Sequence, residues 1–203
     1  MQRRSVVFEL TDNEIRAFWF SSNLFEKKVH SSTEVKIDRI PVPTGYIEQG
    51  NIRNEHALIE VLSDYAALQN LTERRKAYLA IPLHQGFIRS YTLPWIPKRD
   101  RKSAISLLVD EEISIAKSDL LFDFLVLAED KKNSLEILLG ATRQSLLNQY
   151  VLIFGRAGYR ITSVDFAFSI LGQSLGFAPG EDVLYLQRES DSLQMVLFRG
   201  TVP

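Results

Sequence analysis

Cysteine is absent from this sequence, which excludes disulfides and thiolate metal sites. Histidine is scarce. His30, His56 and His84 stand far apart and form no ligand cluster, so no metal site is expected. An excess of one charge is missing too: 24 lysines and arginines face 25 aspartates and glutamates, for a net charge of -1. No global field therefore draws the chain to nucleic acid, an anionic membrane or a basic partner. Long apolar runs are also lacking. Met1-Gln-Arg-Arg is basic, but the stretch behind it is broken by Glu9, Asp12, Glu14 and Arg16, which leaves no signal peptide or spanning helix to read. No low-complexity tract, linker or internal repeat divides the chain, and the absence of cysteine fits a cytoplasmic location.

What is present is a folded protein. With 203 residues, 45% of them hydrophobic, it can bury a substantial core as one large domain or two small ones. Val6-Leu10 and Ile15-Phe20 read as strands folded about an Asp12-Asn13 turn, with Val35-Ile40 a third, ended by Pro41-Val-Pro43. From Glu55, apolar residues Leu58, Ile59, Leu62, Tyr65, Ala66 and Leu68 recur at helical spacing, and Asn54 is placed to cap them. Ala77-Ile81 reads as a strand closed by Pro82, and Gly86-Leu93 as another. A helix is predicted from Lys98 to Ile113, with Ala104, Ile105, Leu107, Leu108 and Ile113 as its buried stripe and Asp100 as a cap. Phe122-Leu127 and Leu135-Ala141 pair across a charged turn. A helix from Gln144 to Ala157 ends at Gly158, a residue suited to the left-handed terminal position. Tyr159-Phe166 as a strand, Ala167-Leu175 as a short helix and the strands Val183-Gln187 and Leu193-Arg199 complete the reading. Pro82 and Gly158 mark the seams of one module inserted into another.

Few residues carry chemistry. Asp110-Glu111-Glu112 are consecutive on a helix, splay over a wide arc and cannot converge on a metal. Glu129 to Lys132 reads as a soluble turn. Lys98-Arg-Asp-Arg-Lys102 is the densest basic run, either a wet helix start or a surface for anionic lipid or an acidic partner. Trp95, held between Pro94 and Pro97, either packs beneath a helix or is presented to a partner. Phe18, Trp19 and Phe20 cannot all face one side of a strand.

Several strings, in order, resemble the PilM family. "IPVPTGYIEQGNI" looks like its proline-bounded strand leading into a Gly-x-Ile-x-x-Gly-x-Ile stretch. "AYLAIPLHQGFIRSYTLPWIPKRDRKSAISLLVDEEI" is similar to its strand, Leu-Pro-x-x-Pro turn and helix, and "ILLGATRQSLLNQYVLIFGRAGYRITSVDFAFSILGQSL" to its later strand, helix and Ala-Gly turn. PilM proteins are cytoplasmic, actin-like components of type IV pilus assembly, related in architecture to the division protein FtsA. The resemblance implies an α+β fold: an actin-like (ribonuclease H-like) subdomain 1A over residues 1-82 and 159-178, an inserted SHS2-like subdomain 1C over 83-158, and the opening hairpin of a second domain over 179-203. Complete members continue well beyond that hairpin, so the second domain is expected to be largely absent.

Nucleotide-binding members of this superfamily keep Asp-x-Gly phosphate loops, in which glycine lets the backbone approach the phosphates and the carboxylate organises metal and water. The matching string Glu9-Leu-Thr-Asp12 has no glycine, and neither does Leu186 to Ser192, where Arg188-Glu189 replace small residues. Thr11, Asp12 and Asp191 are the residual nucleotide candidates. Their plainer reading is as hairpin-turn residues, and no ATP, magnesium or other cofactor is expected.

Three function classes follow from the resemblance. The first is a scaffold without ATP hydrolysis, held at the inner face of the cytoplasmic membrane through a PilN-like partner, in a type IV pilus or related competence or secretion platform. Its groove between subdomains would receive that partner's N-terminal cytoplasmic peptide near Ile81, Pro82, Phe87, Ile88, Tyr159 and Ile161. The second is an active actin-like ATPase that polymerises, and the third is an FtsA relative with a membrane-targeting tail, a tail that Thr201-Val-Pro203 does not supply. The scaffold is the expected class, with self-association as a further partner mode, contact with the membrane only indirect and no catalytic residue.

Overall fold

The computed structural model describes residues 4–21, 36–70, 75–167, 178, 180–188, 193–200 and 202. The chain divides into two compact units, residues 1–84 with 146–166, and residues 85–145 with 167–203.

The first unit is built on a five-stranded sheet of order β10-β6-β1-β2-β3, made of β1 (Arg4–Leu10), β2 (Glu14–Ser21), β3 (Lys36–Pro41), β6 (Arg75–Ile81) and β10 (Tyr159–Phe166). β1, β2 and β3 form the antiparallel meander that the alternation predicts, while β6 runs parallel to both β1 and β10. The register sets Val6 opposite Trp19, Phe8 opposite Ala17 and Leu10 opposite Ile15, so the six side chains share one face, and all six are buried. The helices α1 (Glu55–Leu68) and α3 (Gln144–Arg156) bury Leu58, Leu62, Tyr65, Leu146, Tyr150 and Phe154. Phe8 is the hub of the aromatic core, with ring centroids 4.9 Å from Phe154, 4.8 Å from Tyr159 and 6.4 Å from Tyr65. Asn54 caps α1, its side-chain oxygen accepting the Ala57 N–H at 3.1 Å. Gly158, at φ +91°, ends the turn after α3 as expected. Between β3 and α1 lies a small hairpin, β4 (Ile47–Glu48) and β5 (Asn51–Ile52).

In the second unit β7 (Gly86–Pro94), β9 (Ser134–Arg143) and β8 (Leu120–Asp130) form an antiparallel sheet of order β7-β9-β8, and α2 (Arg101–Glu112) lies on one face. The core under that helix consists of Ile105, Val109 and Ile113 against Leu135, Ile137, Leu139 and Ala141, with Phe122, Phe124 and Val126 of β8 packed on its margin. The strands Ala77–Ile81 and Ile161–Phe166 thus share one sheet, and Phe122–Leu127 and Leu135–Ala141 lie together in another.

The predicted start of α2 is corrected by the structure. Pro97 to Asp100 forms a turn closed by Asp100 N–H donating to the Pro97 carbonyl at 2.9 Å; the helix begins at Arg101, and the Asp100 side chain makes no capping bond. The buried row is Arg101, Ile105 and Val109, one turn apart, which leaves Leu107 at 65% exposure instead of in the stripe. Arg101 is buried at 5% because its Nε donates to the Ile96 carbonyl at 3.0 Å and its Nη2 lies 2.8 Å from Glu129. Glu129 also accepts from Trp95 Nε1 at 3.0 Å, which ties the half-buried ring to β8.

β11 (Asp182–Arg188) and β12 (Leu193–Arg199) pair as a two-stranded hairpin. Val196 and Phe198 are buried, and Leu184, Leu186, Met195 and Leu197 line the opposite, exposed face. Val35, the predicted helix beyond Ala167 and the turn holding Asp191 lie outside the described residues.

Candidate functional site

The β1–β2 turn is where a first phosphate loop would be looked for, and its polar groups are engaged by the backbone of this chain. Thr11 Oγ1 donates to the Glu14 carbonyl at 2.9 Å and accepts the Glu14 N–H at 3.2 Å, closing the turn from within. Asp12 reaches the β4–β5 turn, where Oδ2 accepts the Gln49 N–H at 2.7 Å and Oδ1 the Gly50 N–H at 2.9 Å. Gln49 and Gly50 sit at φ 50° and 71°, the two left-handed residues of a tight hairpin, and the carboxylate holds their successive donors. Tyr150 donates from its hydroxyl to the Gly50 carbonyl, so the same turn is gripped from α3.

Cations beside this loop are also engaged. Arg16 bonds to Glu9 at 3.1 Å and to Glu14, and Arg39 reaches Glu14 at 2.9 Å. Burial pushes the Glu14 carboxyl up, but the hydrogen bonds and positive charge of Arg16 and Arg39 outweigh it and hold the group below the usual carboxylate range. Between β2, α1 and β3, Trp19 Nε1 donates to the Tyr65 hydroxyl at 2.6 Å, which donates to Asp38 at 2.7 Å. Burial raises the Tyr65 phenol, and its bond to Asp38 raises it further. Asp38 is lowered overall: burial opposes the shift, and the Tyr65 and Lys36 hydrogen bonds drive it.

The residues expected to meet a peptide fall into two groups by exposure. Ile81 and Tyr159 are each 1% exposed and belong to the core of the first unit. Pro82, after β6, and Ile161, on β10, are half-buried, as are Phe87 and Ile88 on β7. Phe87 and Ile88 point to opposite faces of their sheet: Phe87 packs on the α2 core, whereas Ile88 lies opposite Gly140 on the other face, which is helix-free among the described residues. Among the described residues no cluster of His, Cys, Asp and Glu is placed to hold a metal. No helix of the described residues is long and apolar enough to cross a membrane.

Four strands end the two larger sheets, and they differ. β3 presents Lys36, Asp38, Arg39 and Pro41, and β10 has a register shift between Ile161 and Ser163. β7 carries Arg89 and closes at Pro94. β8 reads Leu-Leu-Phe-Asp-Phe-Leu-Val from Leu120 to Val126, with one charge and no proline, glycine or lysine. The sequence reading placed this strand and its partner but missed both the edge and the Asp12 clamp. The apolar run around a lone aspartate was the available signal for the edge. The clamp joins residues 37 and 38 positions apart and left no local sign.

No family model and no curated protein matches this sequence. Solved structures do. A chain of the PilM–PilN type IV pilus biogenesis complex superposes with a TM-score of 0.79 at 18% identity, covering 98% of this chain and 59% of that one. The cytoplasmic domain of EpsL, an inner-membrane component of the type II secretion system of Vibrio cholerae, superposes with a TM-score of 0.58 at 12% identity, over 97% of this chain and 71% of that one. This chain thus spans 59% of the length of the first of these relatives. At such identities the likeness is one of fold: this chain has the α+β fold of that chain of the PilM–PilN complex.

Proposed function

We propose that the chain is a non-catalytic scaffold of a type IV pilus or related secretion assembly platform, which receives the N-terminal cytoplasmic peptide of a PilN-like inner-membrane protein. The observation that carries this reading is the superposition on a chain of the PilM–PilN complex over 98% of the present sequence. A scaffold needs apolar surface and free backbone edges, and both are present among the described residues. Pro82 and Ile161 in the first unit, and Phe87 and Ile88 in the second, keep enough exposure to touch a peptide, whereas Ile81 and Tyr159 are buried. The protein would act in the cytoplasm, at the inner face of the membrane, through that partner.

ATP hydrolysis has no place in this function. In the first phosphate-loop position the carboxylate and hydroxyl that would serve magnesium and phosphate are committed to the Gln49, Gly50 and Glu14 backbone. To serve phosphate or magnesium instead, they would have to give up the Gln49, Gly50 and Glu14 amides. Isothermal titration with the N-terminal cytoplasmic segment of a PilN-like protein tests the reading: saturable binding supports it, and the absence of heat or saturation contradicts it. A melting-temperature rise with ATP and magnesium equivalent to more than about 1 kcal/mol would overturn the non-catalytic part.

A further inference from the structure

The geometry points to the outer edge of β8, Leu120 to Val126, as a docking site for an extended segment of a partner protein with a lysine or arginine at its centre and apolar residues on both sides. β9 pairs one side of β8, and among the described residues the other side has no strand partner. Natural edge strands are blunted by lysine, proline or bulges because their free N–H and C=O groups otherwise recruit another strand. β3, β7 and β10 carry such devices. β8 carries none until its register shift between Val126 and Ala128, past the seven residues in question.

The occupant's chemistry follows from what a paired strand would meet. Side chains opposite each other across a ladder share a face. An incoming strand would therefore set three of its residues beside Leu121, Asp123 and Leu125 on the helix-free face, and two beside Phe122 and Phe124 on the α2 side. Leu121 and Leu125 are 43% and 56% exposed and call for apolar neighbours. Asp123 is exposed, and its Oδ1 accepts the N–H of Phe124 at 2.9 Å, a local contact that the carbonyl of a pairing strand can replace. The carboxylate is then free for a base opposite it. Reading along the edge, the segment is apolar, apolar, basic, apolar, apolar.

The face next to this edge agrees. Opposite Asp123 on β9 is Gly140, and opposite Gly140 on β7 is Ile88. Gly140 is not among the residues at positive φ, so its backbone does not call for glycine. In the middle of a central strand a glycine is the kind of position where another chain can come close. An arginine or lysine beside it can lay its aliphatic stem along the sheet and reach Asp123 with its head. Glu136, four residues from Gly140 along β9, adds a second exposed carboxylate, and the paired positions of this face from Gly86 to Thr92, Leu121 to Leu125 and Glu136 to Thr142 contain no lysine or arginine. A second copy of this chain fits less well, since pairing about Asp123 would place two carboxylates opposite each other.

The inference rests on the scaffold reading only for the source of the segment. Fluorescence anisotropy of the full chain with synthetic peptides centred on Val-Ile-Arg-Ile-Val, Val-Ile-Glu-Ile-Val and Val-Ile-Arg-Pro-Val tests it. The wild type should bind the arginine peptide saturably and the glutamate and proline peptides about tenfold or more weakly, since like charges repel and proline cannot complete the ladder. Asp123→Lys, an exposed substitution checked for an unchanged melting curve, should reverse the preference between arginine and glutamate. An unchanged preference, or a proline peptide bound as tightly as the arginine one, overturns the site. A wild-type dimer that Asp123→Lys dissociates also overturns it, in favour of a second copy. If a PilN-like segment binds wild type and Asp123→Lys alike, the edge is wrong and the scaffold stands. If that segment binds neither while the peptides obey the charge rule, the edge stands and the scaffold reading fails.

Discussion

β3 ends the five-stranded sheet with Lys36, Asp38, Arg39 and Pro41, whereas β8 ends the three-stranded sheet with six apolar residues around one aspartate. The contrast extends inward. In the first unit three carboxylates are tied into the structure: Asp12 clamps a turn, Glu14 bridges two arginines, and Asp38 completes a chain from Trp19 through Tyr65. In the second unit one helix covers one face, and Leu121, Asp123, Leu125 and Glu136 are left on the other. The first hairpin is thus a structural joint, and the exposed apolar edge lies in the other unit.

If the first unit is closed, losses inside it should be costly. Phe154→Ala removes the ring packed 4.9 Å from Phe8 and should lower stability by about 3–5 kcal/mol, read by urea denaturation. Leu125→Ser, on the open face of the second unit, should change it by less than about 0.5 kcal/mol. Equal effects would erase the distinction. Tyr65→Phe should cost about 1–3 kcal/mol, because the buried Trp19 N–H loses its acceptor and Asp38 a donor. Near-neutrality would mean that this chain of bonds contributes nothing.

Acid should weaken the first unit as well. Asp38 and Glu14 are both lowered in the folded state, so their contribution is complete above the ordinary carboxylate range and is lost as pH falls through their folded values. Asp38→Asn should flatten the fall in stability on the acid side, and an unchanged slope would remove Asp38 from the explanation. The smallest effect is expected at His56, whose ring lies 3.4 Å from Glu60 on an exposed helix face: His56→Ala should stay within about 0.5 kcal/mol.

Much of this architecture is legible in the sequence, because alternation and helical spacing are local. Val6, Phe8 and Leu10 announce a half-buried strand without reference to the rest of the chain, and Asn54 announces its helix. Legibility fails where a residue's role depends on a distant partner. Asp12 looks like a turn residue until Gln49 and Gly50 are brought to it. Gly158 looks like a seam, yet the compact unit takes up the chain again at Leu146, ahead of the glycine, because Tyr150 and Phe154 of α3 find Gly50 and Phe8. Pro97 and Asp100 look like a helix start, and the turn they make postpones the helix to Arg101, which turns Leu107 outward. Within the site, the apolar character of Ile88 was readable, but which strand ends the sheet was not, since order within a sheet is not encoded by any one strand.

Hydrogen–deuterium exchange of the full chain, alone and with a saturating PilN-like cytoplasmic segment or with ATP and magnesium, addresses the contrast most directly. The amides of Leu120 to Val126 should exchange faster than those of β1 and β6, which lie inside their sheet, and should slow on adding the segment, while those of Thr11 to Glu14, Gln49 and Gly50 should not respond to ATP. Protection that appears at the Asp12 turn with ATP, and none at β8 with the segment, would show that the first hairpin has kept its phosphate-binding role and that the open edge has no occupant.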